Sequence, residues 1–444
     1  MKNKRIEYII NEIVDQYTYA DQTQRPWIIG FSGGKDSTAL LTLVWKALLR
    51  VQALPTPFQL RRPVHVVCND TMVENPIIAE YTSRVLERIK VAAKDQDLPI
   101  QITKTIPRLE DSFWVNTIGR GYPVPNTAFR WCTDKLKIKP TSRFITDQVV
   151  ANGEAIILLG TRSSESQARA QSMKKHEIRG KRLTKHPNEA NTYIYAPIRD
   201  LMIEEVWGII HGKSPWGENN SELYSIYRDA SADDYECPTM VTNKNHSSCG
   251  QSRFGCWTCT VVKQDKSMSS LVNNGFPWLK PILDLREQMI NDRNILENRM
   301  NTRRNGSDAV NGMGTYTFIY RTKLLREVFE AQLEIQKSKP HIELITNQEL
   351  VAIQTIWYRD LLFDKKVSDI YSSVYQNEPI MPDQNEKMIK EVNLLKEVCS
   401  DHPGNFSLIQ ELLILQKNKA LLNRKRGLKE DMERVIEKYL QKTN

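Results

Sequence analysis

Short, continuous apolar runs alternate with longer stretches of helical period through the first half of this chain. The short runs are residues 27–30, 64–70, 100–106, 155–160 and 193–198. Each is too brief for a helix and reads as a strand, and 64–70 reads as a buried parallel strand ending in polar residues. Between them, residues 38–50 and 74–94 repeat apolar positions at helical spacing, and residues 203–212 put Val206, Trp207 and Ile210 on one face. Residues 1–17 mix the same period with charge and read as an amphipathic helix. This alternation predicts an α/β fold with a doubly wound, mostly parallel sheet, whose ligands bind at the carboxyl ends of the strands.

The pattern breaks in several places. Residues 52–62 are a polar connection with Pro55 and Pro57. Residues 113–139 contain Gly119, Gly121, Pro123 and Pro125 and predict no regular element before a helix that follows. Residues 169–186 lack an apolar period and predict a loop. Beyond Pro281 glycine becomes rare, and helices are predicted over 282–300, 320–336, 347–362, 384–399 and 406–440. These shifts divide the chain into residues 1–230, 231–280 and 281–444.

Composition narrows the class. With 40% hydrophobic and 26% charged residues, the chain has the balance of a soluble protein. No apolar run approaches the ~20 residues that span a bilayer, and the N-terminal segment lacks the apolar stretch of a secretory signal. A cytoplasmic protein without a membrane partner is expected. The net charge of +9 is concentrated in two blocks. Residues 169–186 hold seven Lys or Arg against Glu177, and residues 299–326 hold six against Asp308. Such blocks either attract the phosphates of a nucleotide or nucleic acid, or form a solvated face.

The loop after the first strand, Ser32-Gly33-Gly34-Lys35-Asp36-Ser37, carries the strongest chemical signal. Two glycines remove the Cβ atoms that would hold a phosphate away from backbone N–H groups. The helix behind them supplies unpaired donors and the positive end of its dipole. Ser32 and Ser37 offer hydroxyls, Lys35 a mobile charge, and Asp36 a ligand for Mg²⁺. It is not a Walker A loop, because Lys35 follows the glycines directly. Asp70 and Gly160 end two other strands on the ligand side, and Arg162 and Arg169 are candidates to clamp phosphates. Cys132 lies among Arg130, Lys135 and Lys137, where a thiolate is stabilised, and is the candidate for sulfur chemistry; an inert half-buried thiol is the alternative.

Seven cysteines, an odd number, argue against a disulfide framework. Cys68 reads as a core residue and Cys399 as structural. Cys237, Cys249, Cys256 and Cys259 are spaced C-x11-C-x6-C-x2-C. Four thiolates suit either Zn²⁺ or a [4Fe–4S] cluster; one short pair with two single cysteines favours iron–sulfur.

The S-G-G-x-D-S pattern resembles the PP-loop of ATP pyrophosphatases, which cleave ATP between the α and β phosphates. With Arg130-Trp131-Cys132, Lys139-Pro140, Gly160-x-Arg162-x-x-Glu165-Ser166-x-x-Arg169 and Pro197-Ile198-x-Asp200, the chain resembles the PAPS-reductase branch and its adenine nucleotide alpha hydrolase-like sheet. Three further stretches are similar to the DndC family of sulfurtransferases in DNA phosphorothioate modification. They are Asp70-Thr71-x-Val73-Glu74-Asn75-Pro76, the run from Phe113-Trp114-Val115-Asn116 to Ile118-Gly119-Arg120-Gly121-Tyr122-Pro123, and Ser252-Arg253-Phe254-Gly255-Cys256-Trp257-x-Cys259-Thr260. The likeness runs from Trp27 to about Val262. It departs at Leu201-Met202, where that family carries Trp with Ser or Thr, so the cap of the next helix must differ.

The resemblance implies a [4Fe–4S] protein that hydrolyses ATP to AMP and pyrophosphate and helps replace a non-bridging oxygen of the DNA backbone with sulfur. It implies a cysteine desulfurase as sulfur donor, other Dnd-type complex proteins as partners, and a C-terminal region that contacts DNA or those partners. Two other readings stay open. One is a PAPS or adenylylsulfate reductase, although the tail from Tyr439 to Asn444 lacks the cysteine motif such reductases use. The other is a nucleotide-gated DNA-binding scaffold.

Overall fold

The apolar runs assemble into one six-stranded sheet. Its strands are β1 (Trp27–Gly30), β2 (Val64–Asn69), β3 (Ile100–Thr105), β4 (Ala155–Leu158), β5 (Thr184–Lys185) and β6 (Thr192–Tyr195), in the order β3-β2-β1-β4-β6-β5. All neighbours are parallel except β5 on β6. The structure, a computed structural model, describes every residue except 1, 20–23, 56–59, 61, 166–169, 172, 175–180, 218, 230–254, 305–306, 377–385, 421–427 and 444. These residues fall into two compact units, Met1–Arg108 with Asn126–Pro277, and Leu109–Pro125 with Trp278–Asn444.

In the first unit the strands alternate their faces. Trp27, Ile29, Val64, Val66, Ile156, Leu158 and Tyr195 share a core with α1 (Lys2–Thr18), α2 (Lys35–Gln52), α3 (Pro76–Asp95) and α5 (Ile203–Ile210). Ile28, Val67, Ile157 and Ile194 pack on Ile145, Phe144 and Val149 of α4 (Lys139–Asn152). Both faces of β1, β2 and β4 are covered, which is why these strands read as largely apolar runs, whereas the edge strand β3 leaves Gln101 and Lys104 exposed. Helix α2 is buried nearly all round, because it also packs against α1 and α5. Tyr17 of α1 meets Trp27 edge-on at 5.1 Å, and its hydroxyl donates to the Arg62 carbonyl at 2.8 Å.

The chain runs from β1 outward to β2 and β3, then returns to the other side of β1 as β4. The loops after β1 and β4 therefore leave in opposite directions, which opens a crevice at the carboxyl ends of these two strands.

Several local expectations are corrected. Residues 184–185, expected in a loop, pair with β6 at the sheet edge through backbone groups, which need no apolar period. Helix α3 begins at Pro76, not 74; the Asn75 side chain accepts from Ile77 N–H at 3.0 Å and leaves Glu74 outside the helix. The departure at Leu201-Met202 is met by Glu205, whose carboxylate accepts from Met202 N–H at 2.8 Å and from Arg5 of α1 at 3.2 Å.

The second unit holds the helices Lys280–Asp292, Phe318–Gln336, Asn347–Arg359, Val367–Tyr375, Glu386–Val398, Pro403–Ala420 and Leu428–Thr443. The helix expected over 282–300 stops at Asp292, the one over 406–440 is two helices, and Val367–Tyr375 was not expected. Residues 109–125, assigned from sequence to the first domain, pack here. The expected irregularity holds for residues 121–125, but Val115–Gly119 is a π-helical turn, with Arg120 N–H bonded to Val115 C=O at 3.0 Å. Its last carbonyls need donors from elsewhere. Arg321 Nε donates to Ile118 O at 2.7 Å and another of its nitrogens to Gly119 O, while Trp357 Nε1 reaches Ile118 O at 3.1 Å.

The basic block 299–326 is largely consumed by such bonds. Arg299 donates to the carbonyls of Arg293, Met313 and Gly314, and Arg304 to the carbonyl of Arg120 and to Asp360. Arg303 and Arg326 face solvent. No helix among the described residues is long and apolar enough to cross a membrane.

Candidate nucleotide site

The loop after β1 is folded by its own small residues. Gly33 adopts φ +76°, and a Cβ there would lie 2.7 Å from Thr82 Oγ1 of α3, so both conformation and space require glycine. Gly34 is the N-cap of α2. The Ser37 hydroxyl donates to Gly34 O at 3.0 Å and accepts from Ser32 N–H at 3.3 Å, and Ser32 Oγ accepts from Gly34 N–H at 3.4 Å. Lys35 N–H donates to the Tyr227 hydroxyl at 3.2 Å. The loop is thus held in shape with the first amides of a long, buried helix behind it.

Asp36 does not project into open space. Its carboxylate lies 2.6 Å from Arg162 Nε and 3.1 Å from Lys35 Nζ, and these three residues are 6%, 2% and 2% exposed. Arg162 also donates to Ser164 Oγ at 2.9 Å, and its backbone N–H donates to Glu165 Oε1 at 3.0 Å. Two cations and two carboxylates therefore share one buried group, which offsets the cost of desolvating each. The carboxylate expected to hold Mg²⁺ pairs here with Arg162 and Lys35, while its buried Oδ2 accepts no hydrogen bond among the described residues and remains available as a cation ligand. Gly160 completes the contact: a Cβ there would come within 3.1 Å of Asp36 O and 3.2 Å of Ser37 N.

A second group forms at the end of β2. Asp70 Oδ1 accepts from Met72 N–H at 2.9 Å and shapes a turn in which Met72 takes φ 66°. Thr71 Oγ1 donates to Glu74 at 2.8 Å and lies 3.2 Å from Cys256 Sγ. Glu74 and Cys256 form an antiparallel bridge, and Trp257 N–H donates to Val73 O at 3.0 Å. Burial and then the Glu74 carboxylate push the Cys256 thiol up, while Lys137 opposes both; Cys132 acts on it as well. Burial also pushes Glu74 up, opposed by Lys137 and Thr71. Cys132, half-buried, precedes a second π-helical turn, Thr133–Ile138, tied to β2 by Asn69 Nδ2 donating to Leu136 O at 3.1 Å. Cys259 follows Cys256 in one tight turn, its N–H bonded to Cys256 O at 3.0 Å. Cys68 is a buried thiol pushed up to about 12, as a core residue should be.

The sequence candidates thus sort into two groups. Ser32, Gly33, Gly34, Lys35, Asp36, Ser37, Gly160 and Arg162 come together across β1 and β4. Cys132, Cys256 and Asp70 gather around the end of β2 with Thr71 and Glu74, whose place here was signalled only by the motif Asp70-Thr71-x-Val73-Glu74. Tyr227 had no sequence signal. Arg169, Cys237 and Cys249 lie outside the described residues. Among the described residues no three or more His, Cys, Asp or Glu side chains converge to hold a metal.

The phosphoadenosine phosphosulfate reductase domain family matches residues 26–262, more than half of the chain, and the chain belongs to this family. It is a nucleotide-binding PP-loop fold. Among curated proteins, the uncharacterized protein MJ0066 of Methanocaldococcus jannaschii is 25% identical over 259 residues, 58% of this chain and 41% of that protein. The chain thus spans less than half the length of that relative. Among solved structures, the PAPS reductase of Candida auris in a phosphate complex is 13% identical with a TM-score of 0.31, covering 50% of this chain and 90% of that one. The FMN adenylyltransferase of Candida glabrata with FAD and inorganic pyrophosphate is 11% identical with a TM-score of 0.29, covering 47% and 60%.

Proposed function

We propose that this protein is an ATP pyrophosphatase and sulfurtransferase that activates a DNA backbone phosphate for replacement of a non-bridging oxygen by sulfur. The observation that carries this reading is the occurrence, at strand ends of one sheet, of a PP-loop with two buried cations and of Cys132 at the turn that Asn69 ties to the end of β2, near Cys256. Charge at the loop is assigned to Lys35 and Arg162, which offset the negative charge of the triphosphate as it redistributes. A DNA phosphate oxygen attacks the α-phosphorus of ATP, and pyrophosphate leaves with the electron pair of the broken P–O bond. The adenylated phosphodiester then has AMP as its leaving group, in place of an oxide that would not depart. The terminal sulfur of a persulfide on Cys132, charged by a cysteine desulfurase, attacks the DNA phosphorus and AMP leaves. An external thiol attacks the Cys132 sulfur, frees the phosphorothioate and leaves a mixed disulfide that a second thiol reduces.

The [4Fe–4S] cluster is proposed from the spacing of Cys237, Cys249, Cys256 and Cys259 alone. The described donors do not by themselves fit it, and no step is routed through it; iron and sulfide content of anaerobically purified protein tests it. The helical region 281–444 is proposed to contact DNA or Dnd-type partner proteins.

The family match equally supports a second reading, reduction of PAPS. One experiment separates the two: anaerobic protein with Mg²⁺, a dithiol and either ATP or PAPS, with AMP, pyrophosphate and sulfite quantified. Equal AMP and pyrophosphate from ATP supports the first reading. Sulfite from PAPS with ATP untouched overturns it.

A further inference from the structure

We propose that Tyr227 is a latch on the nucleotide loop, and that an adenine nucleotide binds by displacing it and loosening the helix α6 (Ser221–Asp229) that carries it. This inference rests on the nucleotide reading above.

Lys35 is the first residue of α2, so its N–H is one of the donors a helix leaves unpaired and a phosphate claims. Here that N–H donates to Tyr227 Oη at 3.2 Å. The same ring lies 5.2 Å from Lys35 Nζ, within cation–π range, and the ammonium turns toward Asp36 at 3.1 Å. Tyr227, 7% exposed, therefore holds both the backbone donor and the charge of the one lysine in the loop. The amides of Ser32 and Gly34 are served by hydroxyls of the loop itself, which rotate away without moving any helix. Tyr227 reaches in from 192 positions along the chain, so its release moves a separate element.

That element is short, 9 residues, and Leu223, Ile226 and Tyr227 hold it in the core of the first unit. Trp207 stands edge-on to Tyr224 and Tyr227 at 5.3 Å each, Leu223 and Ile226 are buried, and Glu222 pairs with Arg84 at the surface. Exposed pairs contribute little. A phosphate oxygen makes a charge-assisted bond to an N–H and outcompetes a neutral hydroxyl. Both cannot take the Lys35 N–H in the same geometry, so the nucleotide exchanges with the tyrosine.

Hydrogen–deuterium exchange on the full chain, with ATP and Mg²⁺ binding measured by equilibrium dialysis on the same sample, tests the latch. Bound ATP is expected to raise exchange in residues 221–229 severalfold. Tyr227→Phe, which keeps the ring and removes the competing hydroxyl, is expected to bind ATP roughly three- to tenfold more tightly. ATP binding with unchanged or slowed exchange over 221–229, or an equal or weaker affinity in Tyr227→Phe, overturns the latch and leaves the nucleotide reading intact. A native chain that binds neither ATP nor PAPS in dialysis overturns the nucleotide reading and the latch with it. Should the variant fail to fold, the exchange measurement on the native chain decides alone.

Discussion

Asp36 and Arg162, 126 positions apart in sequence, meet as a buried ion pair 2.6 Å long that joins the loop after β1 to the loop after β4. Removing Arg162 leaves two buried carboxylates, Asp36 and Glu165, with Lys35 as the cation that remains beside Asp36. Arg162→Ala is therefore expected to cost about 3–5 kcal/mol of stability. Asp36→Asn should cost less, because the amide oxygen still accepts from the guanidinium. Urea denaturation of both variants checks this; a loss below about 1 kcal/mol for Arg162→Ala would mean that the pair is solvated.

Gly33 combines φ +76° with a Cβ position 2.7 Å from Thr82 Oγ1. Gly33→Ala is expected to lose about 1–2 kcal/mol from the left-handed backbone, with a further loss from the clash. Adding Thr82→Ala relieves the clash and leaves the backbone term. Nucleotide affinity and melting temperature of the single and double variants measure the two separately, and identical values for both would remove Thr82 from the account.

Burial pushes the Tyr17 hydroxyl up to about 12, with Arg62 opposing. An unfolded tyrosine ionises near pH 10 while the folded one stays neutral. The contribution of Tyr17 is thus complete below about pH 10 and is lost as pH rises toward 12. Tyr17→Phe is expected to cost about 1 kcal/mol at pH 7, through the lost bonds to Arg62, and to show a shallower alkaline decline. Denaturation curves at pH 7, 9.5 and 11 compare the two.

Arg321 and Arg303 belong to one basic block but face opposite ways. Arg321→Ala leaves Gly119 O without its guanidinium donor, an expected loss of about 3 kcal/mol that Arg321→Lys does not restore, lacking the fork. Arg303→Gln with Arg326→Gln should leave stability within about 0.5 kcal/mol. If this face binds DNA, the same pair lowers the salt slope of binding by roughly two ion equivalents. An unchanged slope would take the block out of the DNA interface.

Cys132→Ala is expected to retain AMP and pyrophosphate formation from ATP while abolishing sulfur transfer to DNA. Mass spectrometry of nuclease-digested DNA reads the phosphorothioate directly, and normal levels in this variant would exclude a persulfide on Cys132.

Features that depend on contiguous residues could be read along the chain. Strands covered on both faces are largely apolar, so β1, β2, β4 and β6 were legible as such, the half-exposed edge strand β3 followed from its place in the strand–helix alternation, and with them came the doubly wound sheet. Ser32 to Ser37 was legible as a phosphate loop because glycines, hydroxyls and helix start adjoin one another. Which distant groups meet depends on the fold. It brought Arg162 to Asp36, Tyr227 to Lys35 and Cys256 to Glu74, pairings set by strand order and helix packing that leave no local period. It also turned Arg299, Arg304 and Arg321 inward, since a charge count cannot distinguish a guanidinium facing water from one satisfying a backbone carbonyl. Residues 113–119 looked irregular for the same reason: a π-helical turn is stabilised by donors more than 200 positions away, not by its own sequence.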